Sequence, residues 1–127
     1  MSNIHRVTFR IETTPPREVS PNVPAHWSVK SRAQQSLKTI TGWHVKQSIN
    51  MADLPDLPWQ LDYTVAWEKG RKRMDDDNIK AALKYVQDGI ADTVGHNDKH
   101  MVIGTVEQIR DPAKSGYIDV VITGGKR

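Results

Sequence analysis

One stretch of the sequence, residues 59–67, alternates strictly between large apolar side chains and smaller or more polar ones. The apolar positions are Trp59, Leu61, Tyr63, Val65 and Trp67. Successive side chains of a β-strand point to opposite faces, so this pattern predicts a strand with one buried face. It is the strongest strand signal in the chain, and the fold has to be built around a sheet that contains it.

The first half of the chain divides into three segments. Residues 6–11 alternate and predict a half-buried strand that turns Val7, Phe9 and Ile11 to a core. Residues 13–24 contain four prolines, which predicts an irregular connection. Residues 27–50 contain no proline and predict a helix that could break near Gly42. Its apolar positions at helical spacing are Val29, Ala33, Leu37 and Ile40.

The second half adds a helix and two strands. Residues 77–93 predict a helix that ends near Gly95, with one apolar stripe of Ile79, Leu83, Val86 and Ile90. Residues 101–109 and 117–123 predict two strands joined by a turn. The expectation is one α/β (α+β) domain over residues 1–127, in the order β-α-β-α-β-β. It has a mixed sheet of about four strands packed with two main helices, and a core that includes Trp27, Trp59 and Trp67.

Composition narrows the class of protein. The chain has 127 residues, no cysteine and no long apolar run. Disulfides, thiolate zinc sites and transmembrane helices are therefore not expected, and a cytoplasmic location is the default. The first fifty residues hold seven Lys/Arg and two Asp/Glu, whereas the remainder holds eleven and thirteen. A basic first portion beside a locally acidic second portion is compatible with a phosphate-binding surface around a metal pocket.

The most specific chemistry lies in residues 69–78, Lys-Gly-Arg-Lys-Arg-Met-Asp-Asp-Asp-Asn. Asp75 and Asp77 are two residues apart and would converge on one ion if this segment is extended, which leaves Asp76 outside the site. Asp98 lies beyond the following helix and is the natural third ligand. Carboxylate oxygens suit Mg²⁺, with Mn²⁺ as a possible substitute, and Mg²⁺ assists phosphodiester hydrolysis. The competing interpretation is structural: aspartate before a helix is a favoured cap.

Cationic side chains flank these carboxylates on two sides. Lys69, Arg71, Lys72 and Arg73 precede them and are predicted to contact DNA phosphates. Within the predicted helix, Lys84 lies on one line with Asp77 and Asp88, so it could neutralise charge on a phosphate. Lys80 is nearer to Asp77 but about 60° off this line, and it remains an alternative to Lys84.

At these residues the chain resembles the RusA family of Holliday-junction resolvases, especially its phage and prophage branch. The resemblance covers roughly residues 20 to 101. The matching segments are Arg73-Met74-Asp75-Asp76-Asp77-Asn78, Ala82-Leu83-Lys84, Asp88-Gly89-Ile90 and Asn97-Asp98, with Ser20-Pro21-Asn22 and His26-Trp27 before them. The set as a whole is fairly specific to this family, although each segment alone is weak evidence for it.

The resemblance implies a small α/β homodimer that cleaves four-way DNA junctions with Mg²⁺. Asp75, Asp77 and Asp98 would then be the essential acidic residues and Lys84 the catalytic lysine, with Asp88 near it. Asn97 stands where the family often has a second aspartate. Some members place the lysine closer to the Asp-Asn pair, which keeps Lys80 in consideration.

Overall fold

The computed structural model describes residues 4–21 and 23–125, so Asn22 of the Ser20-Pro21-Asn22 segment lies outside the described residues. The main elements follow the predicted order β-α-β-α-β-β. They are β1 (Ile4–Ile11), α1 (Trp27–Ser48), β2 (Asp56–Trp67), α2 (Asp76–Val94), β3 (Met101–Arg110) and β4 (Tyr117–Gly125). Short 3-10 turns lie at Arg17–Val19, Met51–Asp53 and Asp98–His100.

The four strands form one mixed sheet in the order β1-β4-β2-β3. β4 runs antiparallel to both β1 and β2, whereas β2 and β3 are parallel. The predicted fold class, a mixed four-stranded sheet with two helices, is confirmed. The turn between β3 and β4 does not make a hairpin, however, because the chain passes the end of β2 and β4 inserts on its other side.

The connection from β3 to β4 is ordered by one buried carboxylate. Asp111 accepts backbone N–H groups from Ala113, Ser115 and Gly116 at 2.8–3.1 Å. Bonds from Gly116 and Ala113 to the charged form lower the pKa of Asp111 below its usual value. These bonds hold the loop in the shape that carries the chain across the sheet.

The two strongest sequence patterns are both confirmed. In β2, the alternate side chains from Trp59 to Trp67 are buried, and in α2 the predicted stripe is buried against them. Gly95 ends α2 in the left-handed region with a φ of 76°. No helix within the described residues has both the length and the apolar character to cross a membrane.

Helix α1 departs from prediction at two points. It runs unbroken through Gly42, which is buried and faces Thr93 of α2. Its buried side instead begins at Leu37, so the predicted core residue Trp27 is 74% exposed and Val29 is also exposed. The first turns of α1 extend past the core, where apolar periodicity has no layer to pack on.

The two helices cross at Gly89. A Cβ on this glycine would lie 2.6 Å from the Lys38 carbonyl oxygen and 3.0 Å from the Thr41 Cβ. The backbones of α1 and α2 therefore approach closely at this point, which a larger residue prevents. This packing explains the glycine after Asp88 in structural terms.

We expect Gly89→Ala to lower the free energy of unfolding by about 1–3 kcal/mol, because the added methyl meets backbone atoms that cannot rotate away. Urea denaturation measures this difference. Gly42→Ala is the matched control: its methyl meets the Thr93 hydroxyl, which a side-chain rotation can remove. A Gly89→Ala protein that is more stable than wild type, as helix propensity alone favours, would contradict this account of the crossing.

Candidate nucleic-acid and metal site

The three aspartates lie at the start of α2. Asp75 is the N-cap in an extended conformation, and Asp76 and Asp77 occupy the first turn. All three are exposed. The condition for strand-like convergence of Asp75 and Asp77, an extended segment through both residues, is not met, because the helix begins at Asp76 and its rotation of about 100° per residue sets the direction of Asp77.

A side chain of β3 fixes the entry to this helix. Gln108 accepts the backbone N–H of Met74 at 2.9 Å and donates to the Met74 carbonyl at 2.8 Å. The same amide oxygen accepts the indole N–H of Trp67 at 2.9 Å. Gln108 thus ties the end of β2 and the residue before Asp75 to the neighbouring strand. The sequence did not predict this role, because β3 also contains the polar or charged residues Thr105, Glu107 and Arg110, and nothing in their spacing distinguishes Gln108.

The side chains of the acidic run, residues 75–77, contribute little to the stability of the fold. Asp75 makes no side-chain capping hydrogen bond to the described residues of α2. Asp76 lies 3.8 Å from Arg73, and both side chains are largely exposed. An exposed pair of this kind contributes at most about 1 kcal/mol. The charges favour the positive end of the helix dipole, but one carboxylate would be enough for that.

The basic loop, residues 69–73, contains one arginine that contacts other parts of the fold and three exposed cations. Arg71 donates to the Pro15 carbonyl at 3.0 Å and covers the Trp67 ring at 4.8 Å, so its role is at least partly structural. Lys72 and Arg73 are exposed and border a groove next to Asp75. Arg17 borders the same groove and was not predicted. Lys69 is exposed at the start of the loop.

A second groove lies between α2 and β3. Lys80 and Lys84 border it from α2, and Asp98 and Lys99 border it from the 3-10 turn before β3. Gln87 is buried and donates to the carbonyls of Asp98, at 3.3 Å, and Met101, at 3.1 Å. These bonds dock the turn on α2, and both candidate lysines share one groove with Asp98.

Asp98 lies close to Asp88. The two carboxyl groups are close enough for Asp98 to affect the pKa of Asp88. Burial raises the pKa of Asp88, the charge of Lys38 opposes that rise, and Asp98 adds to it. The buried hydroxyl of Tyr63 faces the same region and finds no hydrogen-bond partner among residues 4–21 and 23–125. Burial, followed by the charge of Asp88, raises the pKa of Tyr63.

The predicted ligands do not converge within one chain. Asp77 and Asp88 are eleven residues apart in α2, which corresponds to roughly 16 Å along the helix axis. Asp98 borders the same groove as Lys80 and Lys84 and lies near Asp88, so it sits beside the middle of α2 and not at its first turn. Accordingly, the described part of the chain contains no group of three or more His, Asp or Glu side chains that could hold one metal ion. The candidate carboxylates therefore fall into two groups, one at the start of α2 and one beside its middle.

Comparison with known proteins gives no functional assignment. No family model matches the chain. An uncharacterized protein of Xylella fastidiosa (strain Temecula1 / ATCC 700964) is 29% identical in an alignment 119 residues long that covers 87% of this chain and 72% of that protein.

Two solved structures show only distant similarity. Hydrogenase maturation protein HypE has a TM-score of 0.38 at 14% identity over the whole chain. The HypE–HypF complex has a TM-score of 0.39 at 15% identity over 98% of the chain. In both matches the chain spans 33% of the length of the solved protein.

We expect Gln108→Ala to lower the free energy of unfolding by about 1–3 kcal/mol, because it leaves three partly buried polar groups unpaired. Thermal unfolding followed by tryptophan fluorescence measures the loss. Gln60→Ala is the matched control, since the Gln60 amide is exposed and bonds only to Asp62 among the described residues. Equal effects of the two substitutions would contradict the role assigned to Gln108.

Proposed function

We propose that this protein is a Mg²⁺-dependent endodeoxyribonuclease that cleaves four-way DNA junctions and related branched DNA. The observation that carries the proposal is the unused acidic run at the start of α2. Three exposed carboxylates stand together beside a basic groove, and the N-cap carboxylate makes no capping bond to the described residues of the helix. The resemblance to junction resolvases supports the same chemistry from the sequence.

The acidic run is costly unless a cation binds there. Adjacent carboxylates repel one another. The exposed cation next to them, Arg73, lies 3.8 Å from Asp76 rather than from Asp75 or Asp77. A divalent ion at Asp75 and Asp77 would relieve that repulsion, and their hard oxygen donors match the preference of Mg²⁺.

The residues around the carboxylates suit a phosphodiester substrate. Lys72, Arg73 and Arg17 border the groove beside Asp75 and can hold the phosphates that flank the cleaved bond. Lys84 and Lys80 extend from the first half of α2 and can stabilise negative charge on the attacked phosphate. When bound, Mg²⁺ supplies polarisation of the phosphate and a more acidic water.

The two candidate lysines differ in their position on the helix. Both border the groove that contains Asp98. Lys84 lies on the helix line that joins Asp77 and Asp88, and helical side chains lean toward the helix N-terminus where the carboxylates are. We therefore assign the catalytic role to Lys84 and phosphate binding to Lys80.

A second candidate function is DNA binding without catalysis. The observation in its favour is that no single described part of the chain groups three acidic side chains around one ion. Under this alternative the basic loop binds phosphates and the aspartates act only through the helix dipole. Titration with Mn²⁺ separates the two, because only the nuclease should lose a binding site in Asp75→Asn.

We expect the wild-type protein to nick a synthetic four-way junction in the presence of Mg²⁺. Asp77→Asn should reduce the rate about 100-fold or more, since even residues that only support a metal ligand are worth 10–100-fold. The measurement is the rate of nicking on a denaturing gel. Asp76→Asn is the matched control: it removes the same charge one residue away and should retain most of the activity.

Two outcomes would overturn parts of this proposal. Absence of nicks from the wild-type protein across a range of Mg²⁺ and Mn²⁺ concentrations would exclude the nuclease. Equal losses in Asp76→Asn and Asp77→Asn would show that net charge at the start of α2 matters rather than ligation at Asp77.

The salt dependence of DNA binding tests whether Lys72 and Arg73 of the basic loop contact phosphates. We expect Lys72→Ala and Arg73→Ala each to flatten the plot of log affinity against log salt by roughly 0.9 for every phosphate that the side chain neutralises. Fluorescence anisotropy with a labelled junction, measured without divalent metal, gives the slope. Arg6→Ala is the control, because Arg6 is an exposed cation on β1, at the far edge of the sheet. An unchanged slope in both loop variants would mean that this loop does not bind DNA.

A further inference from the structure

We propose that the outer face of α1 binds unpaired nucleotides of a branched DNA substrate, with a base stacked on Trp43 and backbone phosphates held by Arg32 and Lys46. The inference deepens the proposed nuclease function and rests on it for the choice of DNA as the ligand. The surface itself follows from the charge, exposure and spacing of residues in α1.

Helix α1 is cationic along its whole length. Its 22 residues include four Lys or Arg and no Asp or Glu. Two of these cations have partners in the fold: Lys30 donates to a backbone carbonyl at 3.0 Å, and Lys38 lies 3.9 Å from a carboxylate of α2. Arg32 and Lys46 are exposed and form no salt bridge with any residue that the structure describes. The outer face therefore offers two cations to an anionic ligand.

An exposed stripe runs along this face of the helix. Its members Val29, Arg32, Ser36 and Trp43 are spaced by three, four and seven residues, which places them within about 60° of one another around the helix. All four are exposed, and the Trp43 side chain is 58% exposed. Thr41, on the opposite side of α1, is fully buried. The stripe therefore faces away from the core and contributes little to its packing.

The indole of Trp43 borders two grooves. One lies along α1 and includes Arg32, and the other lies between α1 and α2 and includes Lys46. Gln35 and Thr39 border both grooves and supply an amide and a hydroxyl beside the ring. Single-stranded DNA is bound by this combination, because an aromatic ring can stack with any base while cations follow the phosphate backbone.

The charges of α1 favour DNA over two other occupants of this face. A second copy of α1 laid against it would bring four more cations and no carboxylate to offset them. An acidic protein would match the charge of Arg32 and Lys46, but it would not need an exposed aromatic ring between them. DNA supplies both phosphates and planar bases.

The position of α1 connects this surface to the acidic run. Val23, just before α1, borders the groove beside Asp75, so both helices begin at the same end of the molecule. Leu54, just after α1, and Trp43 each border a groove with Thr93 near the end of α2. Thr93 lies roughly 27 Å from Asp75 along the helix axis. A DNA strand held at the acidic run can therefore extend along α1 to Trp43.

Tryptophan fluorescence tests the stacking on Trp43. We expect oligo(dT), added without divalent metal, to quench the emission of the wild-type protein and of Trp27→Phe, and to lose most of this effect in Trp43→Phe. Trp27 is the matched control, because it is 74% exposed on the same helix but about 160° around it from Trp43. Undiminished quenching in Trp43→Phe overturns the stacking.

The affinity for labelled oligo(dT), measured by fluorescence anisotropy, is the second readout. Trp43→Ala should weaken binding about 5-fold or more, which is the value of stacking one base on an aromatic ring, whereas Trp43→Phe should retain most of the affinity. Arg32→Ala and Lys46→Ala should each flatten the plot of log affinity against log salt by roughly 0.7 for every phosphate neutralised. Equal losses of affinity in Trp43→Ala and Trp27→Ala, or unchanged slopes in both cation variants, overturn the surface.

The outcomes separate this surface from the nuclease. Junction cleavage by the wild-type protein, with no effect of Trp43→Ala on oligonucleotide binding, overturns the surface and leaves the nuclease. Weaker oligonucleotide binding by Trp43→Ala, without junction cleavage by the wild-type protein, supports the surface and removes the nuclease.

Two further outcomes would assign the face to another occupant and overturn DNA binding there. Polyglutamate that displaces oligo(dT) from the wild-type protein, and loses its own binding in Arg32→Ala but not in Trp43→Ala, would indicate an acidic protein. A dimer that dissociates in Trp43→Ala, followed by light scattering, would indicate a second copy of this chain.

Discussion

The burial of β2 is the constraint on which the rest of the structure depends. This strand lies between β4 and β3, and its alternate side chains from Trp59 to Trp67 form the core beneath both helices. Fully burying one such side chain contributes about 1.5–3 kcal/mol, so five of them account for a large part of the folding energy. The position of α2 follows, because its apolar stripe has one complementary surface. The start of α2, with its carboxylates, is thereby placed just beyond the end of the buried strand.

The features of the fold that the sequence predicted correctly are those that depend on local periodicity. The alternation in β2 and the stripe in α2 indicated both elements, and Gly95 marked the end of the helix. The insertion of β4 between β1 and β2 could not be predicted in this way, because periodicity reports which face is buried but not which strand is the neighbour. The prediction that Trp27 lies in the core was wrong for a related reason. A large apolar side chain is buried only where another layer of the fold packs on it.

The candidate site likewise has features that the sequence predicts and features that it does not. The type and exposure of the residues in the acidic run were predictable, since three adjacent aspartates exceed what a helix cap requires. The position of Asp98 relative to this run was not predictable, because it depends on how α2 lies relative to the turn before β3. The chain spacing of about twenty residues suggested that the helix folds back beside the loop. The turn that carries Asp98 instead docks on Gln87, in the middle of the nineteen-residue helix, and not beside its first turn.

Two features near Asp98 cost stability and have no structural benefit. The Tyr63 hydroxyl is buried without a partner among the described residues, which costs about 1–3 kcal/mol. Burial also disfavours the charge on Asp88, and Asp98 next to it increases that penalty. A phenylalanine and a neutral residue would avoid both costs.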